Sequence, residues 1–141
     1  MKPDEARLLD TKAWAAKASS DLRSARHAMS AEPPLCEDAL FHCQQAVEKL
    51  FKAVLTWHDV PFRKTHSLEE LGRQCAELEP ALGTLVDEAA PLSEYAWRYR
   101  YPGPETAPSI EQAQEALRVA ESALPAILAL LPSQVQTQPG P

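Results

Sequence analysis

Glycine and aromatic residues are scarce in this 141-residue chain, which contains four glycines and 6% aromatic residues. Runs rich in valine, isoleucine and aromatic side chains, which are typical of β-strands, are also few. These absences exclude a fold built on a sheet and predict an all-α protein. At this length the chain can bury one hydrophobic core, so we expect a single folded domain.

The sequence also lacks the features of disulfide-stabilised, zinc-binding and membrane-spanning proteins. Its three cysteines, Cys36, Cys43 and Cys75, are odd in number and form no Cys-x-x-Cys pair, which favours reduced thiols. No apolar run approaches the roughly 18 residues that a membrane span needs, and the N-terminal residues lack the apolar core of a signal peptide. We therefore expect a cytoplasmic protein with no membrane contact.

Positive charge is in deficit, since the formal net charge is -6 at pH 7. Extended binding to nucleic acid depends on neutralising many phosphates, so it is not expected, although a small cationic site remains compatible with this charge. Glycine-rich phosphate-binding motifs and Glu-x-x-His metal-ligand pairs are absent as well. We accordingly predict neither a cofactor nor a metal site.

Apolar residues recur at three- and four-residue steps in five segments, which predicts a bundle of about five helices with a four-helix core. Ser67 with Glu70, and Ser109 with Gln112, fit capping boxes at helix starts. The predicted helices span about residues 4–30, 36–57, 67–80, 81–99 and 109–131, the fourth being kinked or interrupted at Pro91. Residues 1–132 are then the folded domain, and the polar residues 133–141 are predicted to be a disordered tail.

The second predicted helix carries a broad apolar sector and a narrow polar stripe. The apolar sector is wider than one neighbouring helix can cover, so it packs on several helices of the chain or also on a second subunit. The polar stripe has two interpretations: a solvated surface with a Glu48–Lys52 ion pair, or a strip that faces an anionic ligand or a partner. It consists of Asp38, His42, Gln45, Glu48, Lys49 and Lys52.

A second polar cluster lies in the segment SEYAWRYRYPG, residues 93–103, where the fourth predicted helix must end. Arginine binds phosphate oxygens in a bidentate manner and tyrosine rings stack on bases, so this mixture suits a nucleotide contact. The alternative is that the arginines only complement the helix dipole and the tyrosines only contribute to the core. The residues concerned are Tyr95, Arg98, Tyr99, Arg100 and Tyr101.

These segments together resemble the HEPN domains, a family of small helical domains often encoded beside a minimal nucleotidyltransferase. The resemblance covers nearly the whole chain except the tail. It rests on Trp14, Ala18, Asp21, Leu22 and Ala25, on FHCQQAVEKLFKAVL (residues 41–55), on THSLEEL (65–71) and on RYP (100–102).

The resemblance implies a helical bundle, often a homodimer, with a role in nucleotide binding or in a toxin–antitoxin pair. It also suggests that His66, in the Thr-His-x-Leu match, faces the same polar groove as Lys49. The candidate residues for binding a nucleotide or a nucleotidyltransferase partner are His42, Gln45, Lys49, Lys52, His66, Tyr95, Arg98, Arg100 and Tyr101.

The sequence departs from the motif of the family's ribonucleases, which is an arginine followed by histidine after four to six intervening residues. None of His27, His42, His58 and His66 follows an arginine at that spacing. An imidazole is the usual group for proton transfer near neutral pH. We therefore predict a binding module that is not a ribonuclease of this type. The alternative is a divergent ribonuclease or toxin in which Arg98 or Arg100 stabilises the transition state and a tyrosine or His66 moves the proton.

Overall fold

The computed structural model describes residues 1–104 and 106–136. Within these residues the secondary structure is helical throughout, with no β-strand, which confirms the all-α fold. The α-helices are α1 (Pro3–Ser30), α2 (Cys36–Trp57), α3 (Leu68–Leu78), α4 (Gly83–Ala89), α5 (Ile110–Leu128) and α6 (Ser133–Gln136).

Helix starts agree with the predicted caps. The Ser67 hydroxyl accepts the backbone N–H of Glu70 at 3.1 Å, while the Glu70 carboxylate is bonded to Arg63. At α5 the box is complete, since Ser109 accepts the Gln112 N–H at 3.0 Å and Gln112 accepts the Ser109 N–H at 2.8 Å. These bonds satisfy N–H groups that have no partner inside a helix.

The fourth predicted helix is divided into three shorter elements, so the interruption expected near Pro91 is present. A 3₁₀ helix (Pro80–Leu82) leads into α4, and a second 3₁₀ helix (Ala90–Ala96) follows it. Pro91 cannot donate a backbone hydrogen bond, which explains the change of helix type there. The chain then leaves the helical path at Tyr99, whose φ is 67°.

The segment predicted as a tail begins with a short helix. Helix α6 spans its first four residues, and the side chain of Val135 is 1% exposed. Val135 is the apolar residue that anchors this turn to the bundle. The rest of the predicted tail, residues 137–141, lies outside the described residues.

Helix α2 is the central element of the bundle. It packs against α1, α3, α5 and the second 3₁₀ helix. Its broad apolar sector is buried by these elements of the same chain, with Val47, Phe51 and Val54 at 0% exposure. Burial of side chains of this size contributes roughly 1.5–3 kcal/mol each, so α2 fixes the positions of the elements around it. None of the described helices has the length and apolar character required to cross a membrane.

Candidate functional site

The polar stripe of α2 meets α1 at a carboxylate. Asp21, on α1, has a side chain that is 11% exposed and lies between two stripe residues. Its Oδ1 is 2.9 Å from His42 Nδ1, and its Oδ2 accepts a hydrogen bond from Lys49 Nζ at 2.5 Å. Lys49 and His42 are thus committed to an ion pair and a hydrogen bond that join α1 to α2.

A second carboxylate, Glu48 on α2, organises the other side of the stripe. Glu48 is 3% exposed and accepts hydrogen bonds from Lys52 Nζ at 2.9 Å and Gln44 Nε2 at 3.0 Å. His66 Nδ1 lies 2.8 Å from the same carboxylate, and Gln44 also donates to the His66 carbonyl at 3.1 Å. Gln45, in turn, donates to Gln44 Oε1 at 2.7 Å. The stripe therefore ties the loop before α3 to the central helix.

The Glu48 network holds a charged carboxylate in the interior. Burial alone raises the pKa of Glu48, but hydrogen bonds from His66, Gln44 and Lys52, together with the Lys52 charge, outweigh burial and lower this pKa overall. Lys52 is itself 8% exposed, and its ammonium lies 5.4 Å from the Trp14 ring centroid. Glu48 and Lys52 are accordingly a buried pair, in contrast to the solvated pair considered from the sequence.

Cys43 and Cys75 are not positioned as nucleophiles. Burial raises the pKa of Cys43 and of Cys75 to about 12, so both thiols are protonated at neutral pH. All three cysteines are free, and Cys75 donates to the Phe51 carbonyl at 3.4 Å. Among residues 1–104 and 106–136, no three His, Cys, Asp or Glu side chains converge in a way that could hold a metal ion.

A pocket lies where the chain turns after the second 3₁₀ helix. It has a volume of about 490 Å³ and is lined by Glu37, Trp97, Arg98, Tyr99, Arg100, Tyr101, Pro102 and Gly103. Trp97 is 62% exposed and Tyr101 is 83% exposed. We call this site the turn pocket. It contains three of the residues predicted to bind a ligand: Arg98, Arg100 and Tyr101.

The two arginines of the turn pocket are held differently. Arg98 donates to Glu94 at 2.7 Å, and its guanidinium lies 4.7 Å from the Tyr99 ring centroid. The guanidinium of Arg100 lies 3.9 Å from the ring centroid of Phe41, a residue of α2. No carboxylate among the described residues forms an ion pair with Arg100, which is an exposed residue. Arg100 is therefore oriented by a ring while its hydrogen-bond donors stay available.

The tyrosines divide between the interior and the surface. Tyr95 and Tyr99 stack with ring centroids 6.3 Å apart. Burial raises the pKa of Tyr95, partly offset by its hydrogen bond with Gln112, so its phenol remains protonated. Tyr95 supports the turn, whereas Tyr101 presents its ring to solvent at the turn pocket.

A second pocket of about 360 Å³ contains His66. Its lining residues are Thr65, His66, Ser67, Ser93, Glu94 and Trp97, so Trp97 borders both this pocket and the turn pocket. The His66 side chain is 65% exposed even though its Nδ1 is held by Glu48. His66 thus lies beside the aromatic residue of the turn pocket, while Lys49 is held on the α1 side of the stripe.

Seven of the nine predicted site residues fall into three sets of contacts; of the other two, Gln45 donates to Gln44 and Tyr95 stacks on Tyr99. His42 and Lys49 share Asp21, Lys52 and His66 share Glu48, and Arg98, Arg100 and Tyr101 share the turn pocket. Sequence reasoning missed Phe41 as the support of Arg100, and also missed Glu37 and Trp97 as pocket residues. Trp97 lies inside the arginine- and tyrosine-rich segment 93–103, and this position was the signal in the sequence that could have included it.

The family model of the HEPN domain matches residues 11–129. This match covers most of the chain, and the chain belongs to the HEPN domain family. The confirmed family agrees with the helical bundle and with the resemblance carried by residues 41–55 and 65–71. No curated protein and no solved structure gave a significant match.

Proposed function

We propose that this HEPN domain is a binding module for a nucleotide, which the turn pocket holds without catalysing a reaction. The observation that carries the proposal is the exposed guanidinium of Arg100, which lies in a pocket with two exposed aromatic rings, Trp97 and Tyr101. The pocket volume of about 490 Å³ is in the range of small-molecule sites.

Phosphate recognition is the role of Arg100 in this proposal. A guanidinium offers parallel N–H donors that match two phosphate oxygens, and such charge-assisted bonds are stronger than neutral ones. Stacking on Phe41 at 3.9 Å limits the conformations of the Arg100 side chain before the ligand arrives. Less conformational entropy is then lost on binding.

Base recognition falls to the aromatic rings. Trp97 and Tyr101 are exposed at the pocket, and aromatic rings of this kind stack on nucleobases with roughly 1–3 kcal/mol per base. Large exposed aromatic side chains mark binding surfaces more often than idle ones when they lie beside unpaired charge. The ring pair and the guanidinium together provide complementary contacts for the base and the phosphate.

The lysines of α2 serve structure in this proposal. Lys49 and Lys52 each hold a buried or nearly buried carboxylate, so removing either lysine would leave that carboxylate with fewer partners. Recruiting them to a phosphate would require breaking these pairs. Arg100 forms no ion pair with a carboxylate of the described residues, so it can bind a phosphate without breaking an existing pair.

A thermal-shift titration with a panel of ribonucleotides and deoxyribonucleotides tests the proposal. A ligand that binds the native state raises its melting temperature with increasing concentration. Replacing Arg100 by Met should weaken binding roughly 10- to 100-fold, because a hydrogen bond to a charged group is lost. The matched control is Arg73→Met, which removes a similarly exposed arginine paired with Glu69 on α3. Absence of any nucleotide-dependent shift in the wild-type protein would refute the proposal.

Partner docking is a second candidate, supported by exposed apolar residues. Leu35 and Ile110 are 52% and 45% exposed, and Leu35 lines a neighbouring pocket of about 270 Å³ with Pro34 and Pro108. A minimal nucleotidyltransferase, or a second copy of this chain, is the partner that membership of the family suggests. A pull-down with such an enzyme would test the first partner, and light scattering would test the homodimer. Both measurements would compare wild type with Leu35→Glu. Toxicity on expression without a partner, lost in Arg100→Met, would instead favour a toxin.

A further inference from the structure

We infer that the turn pocket selects guanine through Glu37, an inference that rests on the proposed nucleotide binding. Glu37 lies in the first turn of α2 and lines the turn pocket together with Arg98, Arg100, Trp97 and Tyr101. Its side chain is exposed, and no lysine, arginine or histidine of the described residues forms an ion pair with it. The pocket thus contains a carboxylate whose acceptor oxygens are available to a ligand.

The carboxylate limits which bases the pocket can accept. An ionised glutamate only accepts hydrogen bonds, and it repels the phosphate that Arg100 attracts. Placement of both signs of charge in one pocket therefore favours a ligand with an anionic end and a neutral edge rich in donors. A nucleotide whose base presents two adjacent donors meets this requirement.

Guanine is the base with that edge. Its N1–H and its exocyclic N2 amino group are neighbouring donors, and a carboxylate can accept from both at once. Adenine and cytosine each place one amino donor beside a ring nitrogen that is an acceptor, and uracil places one N–H between two carbonyl oxygens. An acceptor opposite a second acceptor is repulsive, so the carboxylate both favours guanine and disfavours the other bases.

Glu37 also has a structural interpretation, which makes a different prediction. Acidic residues in the first turn of a helix are stabilised by the helix dipole, and Glu37 is one of two such residues in α2. If this were its whole role, replacing Glu37 would change stability slightly and leave base preference unaltered. Base preference is therefore the readout that separates recognition from structure.

The test is a set of calorimetric titrations of the full chain with guanosine, inosine and adenosine 5′-monophosphates. Inosine lacks the N2 amino group of guanine and is otherwise the same, so it isolates one hydrogen bond. We expect the guanine nucleotide to bind roughly 10-fold more tightly than the inosine nucleotide, and the adenine nucleotide more weakly still. Glu37→Gln should reduce the guanine preference to about twofold, because an amide supplies one acceptor and one donor. Circular dichroism would establish that the variant is folded.

The control variant is Asp38→Asn, which neutralises the next residue of the same helix turn. Asp38 is exposed and lines the neighbouring pocket with Leu35 and Pro108, so its replacement should leave the guanine preference intact. Equal affinity for all three nucleotides, or a preference that survives in Glu37→Gln, would overturn the inference while leaving nucleotide binding in place. Failure of every nucleotide to bind would instead overturn the proposed function and this inference with it.

Discussion

Replacing Glu48 by Met should destabilise the domain severely. The Glu48 side chain is 4% exposed and its partner Lys52 is 10% exposed, so the variant would leave an ammonium group in the interior without its counter-ion. Removing one member of a buried pair typically costs about 3–5 kcal/mol. Such a loss is a large fraction of the roughly 5–15 kcal/mol that stabilises a domain.

Part of this cost can be recovered by removing the second charge as well. The double variant Glu48→Met with Lys52→Met replaces the pair by apolar side chains beside Trp14 and Phe62, whose rings already flank the ammonium at 5.4 and 5.8 Å. A hydrophobic replacement of a buried ion pair is often neutral or stabilising. His66, being 65% exposed, can donate to water in place of Glu48.

Urea unfolding followed by circular dichroism measures these effects directly. We expect the unfolding free energy of Glu48→Met to fall by about 3–5 kcal/mol, equivalent to roughly 10–20 °C in melting temperature for a domain of this size. The double variant should be at least about 2 kcal/mol more stable than the single variant. A single variant within about 1 kcal/mol of wild type, or a double variant no more stable than the single one, would refute the buried-pair interpretation.

Three further predictions concern other parts of the bundle. Because the fold lowers the pKa of Glu48 below its ordinary value of 4.5, the ionised carboxylate stabilises the folded state above pH 4.5. The difference in unfolding free energy between wild type and Glu48→Gln should therefore shrink as the pH of the urea titration falls below 4.5. A difference that stays constant would contradict this. Gly72→Ala should destabilise the domain by about 1–3 kcal/mol although alanine favours a helix, because the new Cβ would lie 2.7 Å from Val86 Cγ1. In a Val86→Ala background, thermal melts should show a smaller loss of stability for the same substitution. Lys49→Met should lower the unfolding free energy by about 1–3 kcal/mol, by removing a donor to Asp21, and change calorimetric nucleotide affinity less than about twofold; a large loss of affinity would place the phosphate on α2.

Helix positions followed closely from the sequence because their signals are local. The bounds of α2 were predicted as residues 36–57, and the Ser109–Gln112 capping box forms as expected. At α3 only half of the predicted box forms, because Ser67 caps the helix while the Glu70 carboxylate binds Arg63. The interruption expected at Pro91 is present, and Pro80 and Pro91 each lie at the start of a 3₁₀ helix. Pro125, by contrast, lies inside α5 without ending it. A proline therefore predicts an irregularity in a helix, but the surrounding packing determines whether the helix changes to a 3₁₀ helix or continues.

The candidate site was harder to predict, because its composition depends on contacts between distant residues. Helical spacing placed Lys49 and Lys52 on one stripe, yet Asp21 comes from another helix and Glu48 turns inward. Helical periodicity shows which face of the helix carries a residue, but it does not show which other element packs against that face. The arginine and tyrosine cluster was found from composition, whereas its support on Phe41 required the tertiary structure.

The measurement that tests nucleotide binding at the turn pocket most directly is a nitrogen–proton correlation spectrum, recorded while a guanosine nucleotide is titrated in. Such a spectrum detects indole N–H and guanidinium Nε–H groups, so Trp97 and Arg100 can both serve as probes. We predict saturable shifts of these two signals and of the backbone amides of residues 97–103, all with one dissociation constant. Unchanged signals at the pocket, or shifts confined to Lys49 and its surroundings, would contradict the proposal that this pocket binds the nucleotide.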